Sequence, residues 1–131
     1  MKVGITFGTF DLVHAGHMIM FKEAKEHCDY LIIGLHADPS VERPTKHSPI
    51  MTVKERGIIL EACKYIDEII VYQTEADLLR ILKEEQPDIR IIGADHKDKP
   101  FTGDNLDIPV YFNSRNHMYS SSELRERIKN S

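Results

Sequence analysis

Val3-Gly4-Ile5-Thr6-Phe7 leads directly into Gly8-Thr9-Phe10-Asp11-Leu12-Val13-His14-Ala15-Gly16-His17. The first five residues read as a short strand covered on both faces. A glycine-bearing turn follows, and beyond it Met18, Phe21 and Ala24 recur at helical spacing from a start near His17. Strand, turn and helix start thus occupy one continuous stretch. Working outward, Tyr30–Leu35, Glu68–Tyr72, Ile89–Gly93 and Ile108–Phe112 are further short runs rich in Ile, Val and Tyr. Helical patterns alternate with them, around Ile58, Leu60, Ala62 and Ile66 and around Leu78, Leu79 and Leu82. Thr52-Val-Lys-Glu55 and Ser120-Ser-Ser-Glu123 have the form of capping boxes, and Thr74 precedes an acidic first turn. Five strands alternating with four helices predict an α/β fold, a Rossmann-like three-layer sandwich around a five-stranded parallel sheet. Ligands of such sheets bind beyond the carboxyl ends of the strands, where strand order reverses.

The chain has 131 residues and a mass of 15.1 kDa, and no linker or repeat divides it, so residues 1–131 are expected to form a single domain. Hydrophobic residues make up 41% and charged residues 29%, which excludes disorder as the expected state. Lys plus Arg number 17 against 21 Asp plus Glu, for a net charge of −4. That balance argues against a nucleic-acid partner, which needs clustered positive charge. No apolar run approaches a membrane span, and the first residues lack the shape of a signal peptide. Cys28 and Cys63 form no CxxC pair and read as small hydrophobes in a reducing, cytoplasmic setting.

The chemistry-bearing residues fall in the segments after the strands. A helix N-terminus with unpaired amides attracts phosphate. Gly8 is read as supplying backbone angles that other residues avoid, and Gly16 as allowing a ligand close to the backbone. His14 and His17 stand three apart at the helix start, so both rings can serve one phosphate and stabilise charge at phosphorus. Two other readings of the pair are a zinc site, for which no Cys or nearby carboxylate completes a ligand set, and incidental surface residues. The Pro-containing, mixed-charge stretch around Lys46 reads as a flap. Ser120 and Ser121 open a helix and offer a second anion site, and Arg115 offers a fork of donors. No acidic cluster forms a metal cage, so no residue is assigned as a metal ligand.

Gly8-Thr-Phe-Asp11 followed by His14-Ala-Gly-His17 resembles the HxGH signature of the nucleotidyltransferase superfamily. Glu55-Arg56, Tyr65-Ile-Asp-Glu-Ile-Ile70, Ile92-Gly-Ala-Asp95 and Arg115 with Ser120 extend the similarity to the cytidylyltransferase branch, and within it to the glycerol-3-phosphate cytidylyltransferases. The resemblance implies transfer of CMP from CTP to a small phosphorylated acceptor of the glycerol 3-phosphate type, with release of pyrophosphate. It implies catalytic roles for His14, His17, Lys46 and Arg115. Nucleotide binding would fall to Gly8, Thr9, Phe10, Gly16, Asp95, Ser120 and Ser121, and acceptor-side contacts to Asp11 and Arg56. Mg²⁺ would arrive with the triphosphate, and a homodimer is the expected assembly. The cytidylyltransferases carry Arg-Thr-Glu-Gly-Ile-Ser-Thr where this chain has Arg115-Asn-His-Met-Tyr-Ser120-Ser. That departure motivates an alternative, the same chemistry with ATP or with another acceptor such as a phosphosugar. A further alternative is a non-catalytic nucleotide-binding module.

Overall fold

The computed structural model describes residues 1–114 and 119–131. Its elements run β1 (Val3–Gly8), α1 (Ala15–Lys25), β2 (Tyr30–His36), α2 (Val53–Glu61), β3 (Glu68–Tyr72), α3 (Glu75–Glu85), β4 (Ile89–Gly93), a single 3-10 turn (Ala94–His96), β5 (Val110–Asn113) and α4 (Ser121–Lys129). The strands form one five-stranded sheet in the order β3-β2-β1-β4-β5, and every pairing is parallel. The expected α/β Rossmann-like architecture is present.

Side-chain alternation along β2 shows why both faces are covered. Leu31, Ile33 and Leu35 join Phe21 and Ala24 of α1 and Leu60 of α2 in one cluster. Ile32, between them, joins Ile5, Tyr72 and the α3 residues Leu78, Ile81 and Leu82 in the other. Three layers follow from that division. Right-handed crossovers put α1 and α2 on one face as the chain steps from β1 to β3, and put α3 on the other as it jumps back to β4.

Helix starts are fixed locally. Thr52 and Thr74 form reciprocal capping boxes with Glu55 and Asp77. At α4 only the forward half of the expected box forms, Ser120 accepting from the Glu123 amide at 3.0 Å. β5 begins at Val110, two residues later than the apolar run suggests. Pro109 has no N–H to give the ladder, and its carbonyl accepts from the Arg90 amide at 2.8 Å.

The order reverses between β1 and β4, where only Gly4 with Ile89 and Ile5 with Arg90 pair. Beyond those residues the two strands pair no further. A cavity of about 620 Å³ is bordered by Thr6 and Phe7 on one side of this gap and by Ile91, Ile92 and Gly93 on the other.

Candidate active site

His14 and His17 are locked together by the start of α1. His14 is the N-cap, and its Nδ1 accepts from the Gly16 amide at 3.0 Å. His17, three residues on, accepts the His14 amide on its own Nδ1 at 3.2 Å. A capping box normally made by Ser or Thr with Glu is here built from two imidazoles. Each Nδ1 acts as an acceptor, so each neutral ring carries its proton on Nε2. The ring centroids lie 4.1 Å apart, and both rings border a cavity of about 220 Å³ together with Gly16, Asn113, Ser120 and Ser121.

The turn before the pair departs from the reading of Gly8. The left-handed residues are Phe10 and Leu12, each with φ of 51°, and Gly8 is needed for room instead. A Cβ on Gly8 would meet the Phe10 ring at 2.9 Å. That ring is 7% exposed and packs on Phe21 and His17, so core burial holds the strained turn. Thr9, Phe10, Asp11, Lys46 and Arg125 border a third cavity of about 290 Å³, which meets the histidine cavity at His17 and Ser121.

The two residues expected on the acceptor side serve the backbone. Asp11 is 8% exposed and accepts from the amides of Ile50 and Met51 at 2.8 and 2.9 Å and from Arg125 at 3.3 Å. It clamps the first loop to the segment leading into α2. Arg56 is 1% exposed. Its Nε donates to Met51 O at 3.1 Å, Nη1 to Thr9 O and His36 O at 2.8 and 2.7 Å, and Nη2 to Ala37 O at 2.6 Å. Four carbonyls use four of its five N–H groups, so Arg56 braces the ends of β1 and β2. Burial pulls its pKa down, opposed by the charges of Asp11 and Asp38.

The remaining expected residues divide. Ser120 and Ser121 border the histidine cavity, and the Ser121 hydroxyl donates to Asp11 O at 3.3 Å, tying α4 to the first loop. Lys46 is exposed but borders the adjoining cavity. Asp95 lies exposed in the 3-10 turn, its Oδ1 only 2.7 Å from where a Cβ on Gly93 would stand, so Gly93 makes room for that carboxylate. Arg115 lies outside the described residues. Arg43, another loop cation, is paired with Glu75 at 2.6 Å.

Two residues were not singled out from the sequence. Asn113 ends β5, is 2% exposed and borders the histidine cavity, yet both its Oδ1 and Nδ2 lack hydrogen-bond partners. Buried amides are nearly always paired, which sets this one apart from the other polar groups bordering the cavity. The end of β5 is held by Glu23 of α1, which accepts from the Ser114 amide and hydroxyl at 3.0 and 2.8 Å and from the Tyr111 hydroxyl at 2.7 Å. Burial raises the Glu23 pKa, but those three bonds and the charge of His27 outweigh it and hold it below the usual value. Arg90 is the second, 7% exposed and bordering the large cavity. Only the number of donors in use, four against one, separates it from Arg56, and spacing does not show that.

A parallel α/β sheet with paired imidazoles and a helix N-terminus near its switch point is the frame of the site. The chain belongs to the cytidylyltransferase-like family, whose sequence model matches residues 5–127, and so to the nucleotidyltransferase superfamily. Among curated relatives it is similar to the bifunctional protein HldE of Campylobacter jejuni strain RM1221, 37% identical over 131 residues covering 98% of this chain. HldE of Helicobacter pylori strain HPAG1 is 31% identical over 129 residues. The chain spans 28% of the length of each of these two proteins. The crystal structure of the lipopolysaccharide core biosynthesis protein from Thermoplasma volcanium GSS1 shares the fold, with a TM-score of 0.64 over 99% of this chain and 88% of that one, at 23% identity. No helix among the described residues is long and apolar enough to cross a membrane.

Proposed function

We propose that the protein transfers AMP from ATP to the phosphate of a small phosphosugar, with release of pyrophosphate. The observation that carries the reading is the reciprocal capping of His14 and His17, which puts a proton on each Nε2 beside the N-terminus of α4. Kinship with HldE fits ATP better than CTP. The absence of Thr-Glu-Gly between Arg115 and Ser120 agrees with that preference.

A phosphate oxygen of the acceptor, already anionic at neutral pH, attacks the α-phosphorus. The bond from that phosphorus to its bridging oxygen breaks, and pyrophosphate leaves with the electron pair. No proton has to be taken from the nucleophile, so catalysis consists of alignment and charge stabilisation. In this reading His14 and His17 donate from Nε2 to phosphate oxygens whose charge grows in the transition state. Gly8, Thr9, Phe10 and Gly16 shape the cradle, while Ser120, Ser121, Lys46 and Arg115 supply further phosphate contacts. Asp95 accepts from the ribose or base, and the Asn113 amide meets a base edge, donating with Nδ2 and accepting with Oδ1.

Mg²⁺ belongs to the proposal as an ion carried in by the triphosphate, lending charge neutralisation to the transferred group. Phosphate oxygens would hold it, as they do where a nucleotide supplies the ligands. A single domain over residues 1–131, acting as a homodimer in the cytoplasm, completes the reading.

CTP with glycerol 3-phosphate is the second reading, favoured by the description of the matched family as cytidylyltransferase-like. Pyrophosphate release is measured with ATP, CTP, GTP or UTP, Mg²⁺ and a panel of phosphosugars and glycerol 3-phosphate. Turnover with ATP and a phosphosugar is expected. Turnover confined to CTP would replace the first reading by the second. Tight nucleotide binding with no release in any combination would favour a binding module over an enzyme.

A further inference from the structure

We propose that Arg90 is the oxyanion-binding residue of the large switch-point cavity, and that this cavity takes the acceptor through a phosphate or carboxylate group held by the Arg90 guanidinium. The word acceptor rests on the nucleotidyl-transfer reading; the anion site does not. Arg90 sits at the last point where β4 pairs with β1, opposite Ile5, and the cavity begins where that pairing ends. The guanidinium is clasped between two aromatic rings, its Cζ 5.1 Å from the Phe7 centroid and 5.2 Å from that of Phe101. Gly34 makes the first contact possible, since a Cβ there would stand 2.2 Å from the Phe7 ring.

The donors of this guanidinium are largely unused. Nη1 donates to Thr102 O, and Nε, fully buried, has no partner. No carboxylate among the described residues forms an ion pair with it. Glu75, one of the acidic groups whose field reaches it, is bonded to Arg43, and Asp104 accepts from the Phe101 amide at 3.3 Å. A charge that is 7% exposed and lacks an anion carries a desolvation penalty that stacking on two rings offsets only in part. An oxyanion entering the cavity supplies what the protein withholds. Arginine suits the task, because its planar fork meets two oxygens of a phosphate or carboxylate at once. Among the other borders, the Tyr72 hydroxyl offers a polar tip to a hydroxyl group of such a molecule.

The direct test is NMR of the Arg90 Nε–H, assigned by its loss in Arg90→Lys and titrated in the wild-type protein with inorganic phosphate and, separately, acetate. A saturable shift of that resonance with phosphate alone identifies a phosphate-bearing acceptor, and an equal response to acetate identifies a carboxylate-bearing one. An unmoved resonance with both anions overturns the proposal. Kinetics give a second readout that a purely structural arginine does not produce. Arg90→Lys is expected to raise the acceptor KM by about tenfold or more while the nucleotide KM stays within about twofold. Parallel changes in both constants would count against the assignment. If the resonance shifts with phosphate but no nucleotide and acceptor pair releases pyrophosphate, the anion site stands and the proposed activity falls.

Discussion

Arg56 and Arg90 are both buried guanidiniums near the carboxyl ends of the central strands, and burial lowers the pKa of both. They differ in what their N–H groups meet. Arg56 gives four hydrogen bonds to the carbonyls of Thr9, His36, Ala37 and Met51; Arg90 gives one, to Thr102. Burial of a charge therefore does not by itself indicate a function. A guanidinium with four of its five N–H groups on carbonyls is part of the scaffold, whereas one with a single such bond has donors left for something that is not protein.

The sharpest way to break the comparison is to remove the more fully bonded member. Arg56→Met strands four carbonyls that hold the first loop and the end of β2, and a loss of about 3–5 kcal/mol is expected by analogy with half-broken buried networks. Urea denaturation of the variant at pH 7 measures it. A loss under about 1 kcal/mol would mean that water replaces the guanidinium readily, and the distinction between the two arginines would collapse.

The next effect concerns the site that Arg56 supports. His14→Ala and His17→Ala each remove one donor and half of the capping box, and kcat is expected to fall about 10²–10³-fold, near 3 kcal/mol. Nucleotide affinity should change far less, because the donors act on charge that develops in the transition state. Steady-state kinetics with calorimetric nucleotide binding separates the two. Equal losses in kcat/KM and in affinity would reassign the histidines to ground-state binding.

Much of this division is invisible in the sequence, for a physical reason. The alternation of strands and helices, the starts of α2 and α3 and the pairing of His14 with His17 are properties of spacing, and spacing is legible. The division of β2 side chains between the two faces obeys the same period. The roles of Arg56 and Arg90 depend largely on contacts 12 to 47 residues away, where no local pattern reaches, with Met51 the one nearby partner. Asn113 escaped notice for the same reason: an asparagine at a strand end is ordinary, and only its unpaired buried amide sets it apart. His14 as an N-cap was hidden because imidazole rarely replaces serine or aspartate there. Gly8 had the right place but the wrong cause, since the left-handed residues are Phe10 and Leu12.

A smaller test concerns the clamp beside Arg56. Asp11→Asn keeps one carbonyl oxygen as acceptor and loses the charge that faces Arg125, so one of the two amide bonds and the ion pair go. A stability loss of about 1–2 kcal/mol is expected from thermal melts, together with a modest fall in kcat as the His17 side of the loop loosens. Unchanged kcat with the full stability loss would show that the first loop is held well enough by Phe10, Arg56 and the Ser121 bond to Asp11 O.

The smallest effect serves as the control on charge. Lys25 and Asp67 form a half-exposed ion pair, with the Leu31 amide also donating to Asp67 Oδ2 at 2.8 Å. Burial raises the Asp67 pKa, but the hydrogen bond from Lys25, the Leu31 amide and the Lys25 charge together hold it below the usual carboxylate value. A pKa depressed by folding stabilises above the unfolded value near 3.9, and that stability is lost as pH falls through the folded value. Asp67→Asn should therefore cost about 0.5–1 kcal/mol at pH 7, with the difference from wild type shrinking as the solution is acidified. The carbonyls that hold Arg56 do not titrate, so the Arg56→Met deficit should persist over the same range. Melting curves of both variants from neutral to acid pH compare them directly: a parallel decline would mean that Arg56 is held chiefly by the carboxylates of Asp11 and Asp38, whose charges reach it, rather than by its four carbonyls.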